Sequence, residues 1–256
     1  MRLATWNVNS LRVRLPQVLD WLGRQRPDVL CLQETKLPNP AFPDRALAAA
    51  GYHGAASGQA AYNGVAVLSR RPLEVAAVEL PGLRDPQRRL LTVRAEGLTV
   101  VNVYVPNGQA VGSEKFHYKL RWLEALRDYL AELLEREARL VVAGDFNVAP
   151  ADEDVHDPRA WAGAVLCSEP ERARFRALLD LGLRDLLRAF PQPPRSYTWW
   201  DYRAGAFRRD HGLRIDHILA SPAAAAACRR AWIDRAPRGW ERPSDHAPVL
   251  AEFADA

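Results

Sequence analysis

Short apolar runs that each stop at a carboxylate, an amide or a phenol constrain this chain more than any other feature. Asn7 and Asn9 sit in TWNVNSLR, Glu34 in VLCLQETK and Tyr104 in VVNVYVPNG; Asp145 and Asn147 close VVAGDFN, and Asp216 stands in LRIDHILAS. Ser244-Asp245-His246-Ala247 completes the set near the end of the chain. A brief run of Val, Leu and Ile reads as a buried strand. A polar group at its end is delivered to the rim of a sheet, where function tends to sit on a rigid scaffold. Repetition of the pattern points to one site lined with Asp, Glu, Asn, Tyr and His. Oxygen donors of this kind suit a hard cation such as Mg²⁺ or Mn²⁺.

The segment 13–26 carries Leu15, Val18, Leu19 and Leu22 at helical spacing, with Pro16 where a first turn tolerates it. Strands are expected at 29–33, 64–69, 73–80, 89–95 and 98–105. The longest helical pattern covers 114–137, with Phe116, Leu120, Leu123, Leu126, Leu130 and Leu133 along one face. A strand at 139–144, a helix at 171–181 and strands at 197–201, 213–220, 230–234 and 248–253 follow. Strand, helix, strand and further strands thus recur about twice, which suggests two similar halves whose mixed sheets pack face to face, helices outside. Proline-containing stretches at 38–43, 150–158 and 191–194 read as loops, and no linker divides residues 1–256, so a single domain is expected.

A chain of 256 residues can bury a substantial core. Its net charge of +4 and pI near 9.1 permit a polyanionic partner without requiring one. Lysine occurs only at 36, 115 and 119, and an arginine excess of this kind also follows from composition bias. Cys31, Cys167 and Cys228 are scattered, with neither zinc spacing nor a disulfide framework. There is no signal-peptide pattern, and no apolar run nears the ~18 residues that cross a bilayer. A cytoplasmic protein with no membrane partner is expected.

The segments WNVNSLR, LQETK, NGVAVLSR, YVPNG, GDFNVAP, YTWWDYR, GLRIDHILAS and PSDHAP, in this order from Leu3 to about Phe253, resemble the exonuclease III group of endonuclease/exonuclease/phosphatase enzymes. The resemblance implies a four-layered α/β sandwich of the DNase I-like type, two packed mixed sheets flanked by helices. It implies Glu34 as the principal metal ligand, with Asn7, Asp145, Asn147, Asp245 and His246 completing the metal network. Asn9 is placed nearby, on the substrate side. Asp145 becomes the group that orients or deprotonates the attacking water, and Asn147 a donor to the phosphoryl oxygens. His246 touches the scissile phosphate or serves as base, and Asp216 holds its imidazole, as a carboxylate does for a catalytic histidine. Tyr104 offers its phenol to a phosphoryl oxygen. Extended-chain spacing is compatible with Asp145 and Asn147 facing one pocket while Phe146 enters the core. His217, next to Asp216, reads as structural.

The tract 197–203 is rich in aromatics, and alternation should bury one set and expose the other. By resemblance Trp199 and Leu213 line a pocket for an abasic deoxyribose. Trp200 is an additional candidate substrate contact. Lys36, Arg89 and Arg203 are candidate phosphate contacts, which carry affinity rather than sequence information. The resemblance therefore implies a Mg²⁺-dependent nuclease, with Mn²⁺ able to substitute, acting as a monomer on double-stranded DNA. It would cut 5′ to abasic sites and remove nucleotides or blocking groups from 3′ ends. The rival reading is a phosphatase or phosphodiesterase of the same superfamily on a non-nucleic substrate. An inactive DNA-binding homologue would require the loss of a site residue, and none is lost.

Overall fold

The apolar runs form strands buried on both faces, as near-continuous Val/Leu/Ile segments do inside layered α/β folds. The computed structural model describes residues 1–254. Among these residues twelve strands are ordered β1 Arg2–Asn7, β2 Val29–Gln33, β3 His53–Ser57, β4 Val65–Ser69, β5 Glu74–Ala77, β6 Leu90–Ala95, β7 Leu98–Tyr104, β8 Leu140–Asp145, β9 Arg184–Asp185, β10 Asp216–Ala220, β11 Cys228–Ile233 and β12 Val249–Phe253. The helices are α1 Leu11–Gln25, α2 Asp44–Ala49, α3 Glu114–Leu134, α4 Glu169–Leu179, α5 Ala206–Arg209 and α6 Pro222–Ala227.

Two six-stranded sheets result, ordered β11-β12-β1-β2-β4-β3 and β5-β6-β7-β8-β10-β9. Each contains one parallel pair, β1 with β2 and β7 with β8, bridged by α1 and α3 respectively; all other pairs are antiparallel. The two sheets therefore repeat one pattern position by position. The hairpin that ends each half, β5-β6 or β11-β12, pairs with the other half's parallel unit, which joins the halves.

Three apolar interfaces separate four layers. Leu3, Cys31, Val65 and Val67 of the first sheet meet Val93, Val100, Val141 and Ile218 of the second. Trp6, Leu30, Leu32 and Leu68 pack outward on Val18, Trp21 and Leu22 of α1. Val101, Val103 and Val142 pack outward on Trp122, Leu126 and Leu130 of α3 and on Phe175 of α4. The four-layered sandwich implied by the resemblance is present. Among the described residues no helix is long and apolar enough to cross a membrane.

Several sequence-based boundaries shift. The strand expected at 73–80 shrinks to Glu74–Ala77, an exposed edge with a register shift. The stretch 197–201 forms no ladder, only single bridges from Trp199 to Leu213 and to His246. The strand expected from 213 begins at Asp216. The apolar stripe of α3 passes through Lys119 rather than Leu120, since Lys119 is buried and Leu120 only half-buried.

Candidate active site

The parallel strands end at one rim, and the register lines their last residues up. Tyr104 is level with Asp145, and Asp145 with Asp216, across three neighbouring strands of the second sheet. Asn7 ends β1 level with Gln33 on the facing sheet, and Glu34 follows at once. Gly144 permits this register: a Cβ there would lie 1.9 Å from the Val103 carbonyl oxygen of the adjacent strand. Glu34 and Asn147 leave their strands with φ of 50° and 51°, a region non-glycine residues occupy uncommonly. Asn tolerates it through local hydrogen bonding.

Below the rim the two sheets share a buried polar ladder. Gln33 Nε2 donates to Thr5 Oγ1 at 2.9 Å and to Asn102 Oδ1 at 2.8 Å. Asn102 Nδ2 donates to the Leu32 and Ala66 carbonyls at 3.0 and 2.8 Å. Although Gln33 Oε1 has no partner among the described residues, the three bonds made by Asn102 cross between the sheets and fix their relative setting.

At the rim, Asn7 Nδ2 donates to Glu34 Oε1 and Asp145 Oδ2, each at 2.9 Å. Side-chain ligand atoms of Glu34, Asp145 and His246 lie within 4.8 Å of one another. His246 Nδ1 is 2.8 Å from Asp216 Oδ2, and its Nε2 is 3.8 Å from Asp145 Oδ2. Ser244 sets the imidazole's backbone, donating from Oγ to the Asn7 carbonyl at 2.7 Å and accepting from His246 N at 3.2 Å. Asn147 Nδ2 donates to the Val105 carbonyl at 2.9 Å and meets Asp145 Oδ2 at 3.4 Å.

Burial and the neighbouring carboxylates together set the protonation. Burial, with repulsion from Asp216 and Glu34, pushes the Asp145 carboxyl up to about 7 despite His246 and Asn7. Burial alone would lower His246, yet Asp216, Asp145 and Asp245 together raise it to about 10. Tyr104 is pushed well above the ordinary phenol range by burial and by the Glu34 and Asp145 carboxylates, so it stays a proton donor. The two carboxylates supply the oxygen donors that a hard dication takes, steadied by Asn7, whose Nδ2 faces them while its Oδ1 accepts from Asn9 N at 2.9 Å; a cation there would relieve the part of the Asp145 shift that comes from neighbouring carboxylates.

Asp245 stands apart from that cluster. Its carboxylate accepts from Trp199 Nε1 at 2.9 Å and Asn9 Nδ2 at 3.0 Å, and these bonds with His246 hold its carboxyl below the usual range although burial opposes them. Asn9 Oδ1 accepts from Lys36 Nζ at 2.6 Å, and Lys36 also pairs with Glu34 at 3.0 Å. Lys36 and Asn9 are thus tied to the carboxylate rim.

A cavity of about 340 Å³ opens on these groups, lined by Glu34, Tyr104, Asp145, Asn147, Asp245 and His246 on the polar side. Trp161, Val165, Leu166, Trp199 and Ile215 form an apolar wall, and Asn107, Asp201 and Arg203 complete the lining. Two substrate-contact expectations are corrected. Trp200 is fully buried, its ring edge-on to Phe207 and its Nε1 donating to Asp210, so it belongs to the core. Leu213 is also fully buried beneath Trp199; Ile215, two residues on, reaches the cavity instead. Arg89 lies outside the cavity, its guanidinium 4.6 Å over the Tyr104 ring, and lines an adjoining groove with Tyr62 and Lys115. His217 is buried between Phe146 and Phe175 and bonded to the Val148 carbonyl, away from the site. Trp161, Val165 and Leu166 had no signal in the sequence, because their loop has no periodicity.

Comparison with known proteins agrees with this geometry. A profile of the Endonuclease/Exonuclease/phosphatase family matches residues 4–246. The chain is 35% identical to the exodeoxyribonuclease III of Haemophilus influenzae, over 99% of this chain and 100% of that one. Among solved structures, a 3′-5′ exonuclease from Neisseria meningitidis superposes with a TM-score of 0.97 at 50% identity, covering 99% of this chain and 100% of the other. An AP endonuclease from Archaeoglobus fulgidus superposes with a TM-score of 0.94 at 41% identity, covering 99% of each.

Proposed function

This chain belongs to the endonuclease/exonuclease/phosphatase family, and on that footing we propose that it is a DNA repair nuclease that processes 3′ ends and cleaves 5′ to abasic sites. The relatives are an exodeoxyribonuclease III, a 3′-5′ exonuclease and an AP endonuclease, and a Neisseria relative described as a 3′ phosphatase was solved with a product DNA hairpin. One observation carries the reading: Glu34, Asp145 and His246 converge within 4.8 Å at the mouth of a cavity with an apolar wall. A phosphoryl group fits the charged side and a small or displaced sugar the apolar side.

The residues take the following parts. Glu34 and Asp145, oriented by the Asn7 amide that donates to both, would hold a divalent cation, Mg²⁺ with Mn²⁺ able to replace it. When bound, it supplies charge neutralisation to the phosphoryl oxygens. Asp145 accepts a proton from the attacking water. His246, kept as imidazolium by Asp216, donates from Nε2 toward the phosphate. The Asn147 amide hydrogen that meets Asp145 only at 3.4 Å is free for a phosphoryl oxygen. Tyr104, kept protonated, donates to a phosphoryl oxygen. Trp199 packs against the sugar, while Lys36, Arg89 and Arg203 contact the DNA backbone. The products carry 3′-hydroxyls, and the chain works as a monomer.

The test compares initial rates with Mg²⁺ on duplexes bearing an abasic analogue, a 3′-phosphate or a plain recessed 3′ end, and on non-nucleic phosphate esters. Cleavage of the DNA substrates far above the others is expected. Preference for a non-nucleic ester would replace this reading with that of a general phosphoesterase.

A further inference from the structure

Lys119 is one of three lysines among 35 basic residues, and it is fully buried. It stands on the apolar stripe of α3 with Phe116, Leu123, Leu126 and Leu130. A buried ammonium persists only when it is paired and its protons are satisfied. Lys119 Nζ donates to the Asn147 carbonyl at 2.6 Å, to the Asn107 carbonyl at 3.1 Å and to the Glu171 carboxylate. Glu171 also accepts from Leu166 N at 2.9 Å and Ser168 N at 3.1 Å. Asn147, Asn107 and Leu166 all line the catalytic cavity; Asn107 comes from the β7–α3 connection, and Asn147 and Leu166 from the two ends of the long β8–α4 connection. One buried ion pair ties all three together.

The residue types fit this task. Three acceptors arranged around one point suit a compact ammonium with three donors, whereas a planar guanidinium would not satisfy them. The bond to the Asn147 carbonyl also anchors a residue held at φ 51°.

We propose that Lys119 and Glu171 form a positioning brace, which sets the Asn147 amide and the Leu166 wall in fixed relation to the carboxylate rim. The proposal rests on Asn147 acting on the phosphoryl group. Neither Lys119 nor Glu171 reaches the cavity, so both act through the residues they hold.

Three variants separate a brace from plain structural support: Glu171→Gln, which keeps the shape; Lys119→Met/Glu171→Gln, which removes both charges together; and Asn147→Ala. Melting temperature, metal affinity, kcat and KM on a 3′-phosphate duplex are measured for each. A brace lowers kcat, by about 10²-fold for a displacement near 1 Å, while KM and metal affinity hold. Adding Asn147→Ala to the charge-free pair then costs little more. Wild-type kcat in a folded charge-free pair, or losses that multiply with Asn147→Ala, would overturn the brace. Should the charge-free pair fail to fold, Glu171→Gln decides alone: unchanged kcat overturns the proposal. Wild-type kcat in Asn147→Ala itself would instead remove the reading of Asn147 on which the brace depends.

Discussion

Replacing Asp216 by Asn tests the bond on which the role of His246 depends. The two side chains are buried, with His246 Nδ1 2.8 Å from Asp216 Oδ2. A hydrogen bond to a charged group contributes about 1.5–3 kcal/mol. At about 1.4 kcal/mol per tenfold in rate, full transmission to the transition state is a loss of about 10- to 100-fold in kcat. The charge matters as well as the bond. After burial, which lowers it, Asp216 is the largest influence on His246 and the main reason it lies near 10. Without Asp216 the imidazole keeps Asp145 at 3.8 Å, and its pKa should fall. A group raised on folding stabilises the protein below its unfolded pKa, and that contribution is lost as pH rises through the folded value. In the wild type the loss runs from about pH 6.5 to about 10; in the variant it is complete at lower pH. The assays are single-turnover phosphate release from a 3′-phosphate duplex and NMR titration of His246 in metal-free protein. The double variant with His246→Asn should be no slower than His246→Asn alone. Losses that multiply, or an unmoved His246 titration, would refute the reasoning.

Glu34→Gln removes a ligand charge while keeping the shape, so it should fold normally, bind Mg²⁺ more weakly by calorimetry and lose most turnover; unchanged metal affinity excludes Glu34 from the cation site. EDTA should stop cleavage and leave the circular dichroism spectrum intact, because three apolar interfaces hold the sandwich; melting on chelation would make the metal structural. Trp199→Ala should lower cleavage at abasic sites by about ten- to a hundredfold, the scale of roughly 1–3 kcal/mol for a stacking aromatic, and affect 3′-phosphate release less. Trp200→Ala should do the reverse, lowering stability by about 3–5 kcal/mol as a core truncation, with kcat of the folded fraction retained. Equal effects of the two substitutions on stability would place Trp199 in the core as well.

Glu34, Tyr104, Asp145 and Asp216 were legible because each stands where a short apolar run meets a polar group, and such runs are read locally as buried strands; the register that brings them level was not. Asn7, Asn147 and His246 needed the family resemblance, since an Asn or His in a loop has many uses. The cavity wall was not legible. Trp161, Val165 and Leu166 lie on an irregular segment whose path is set by tertiary bonds, among them Leu166 N to Glu171 and Ala149 N to the Leu166 carbonyl. Trp200 and Leu213 were misplaced for different reasons: alternation puts Trp200 on the face opposite Trp199, where it is buried, and Leu213 was assigned by resemblance although its side chain is buried under Trp199. Lys119 carried a visible signal, a cation on the core stripe of a helix, which an alignment of the stripe one residue away concealed. The exchange of end hairpins between sheets follows from long-range pairing that no local pattern reports.

The claim that the rim of the two sheets is one metal-dependent phosphoesterase site is tested most directly by a time course on a duplex ending in a 3′-phosphate, with Mg²⁺, for the wild type, Glu34→Gln and Asp145→Asn. Inorganic phosphate and a 3′-hydroxyl end should appear with the wild type, at a rate at least about 10²-fold above either variant, the scale of a positioned acid–base or electrostatic group. No release by the wild type in Mg²⁺ or Mn²⁺, or equal release by Glu34→Gln, would contradict it.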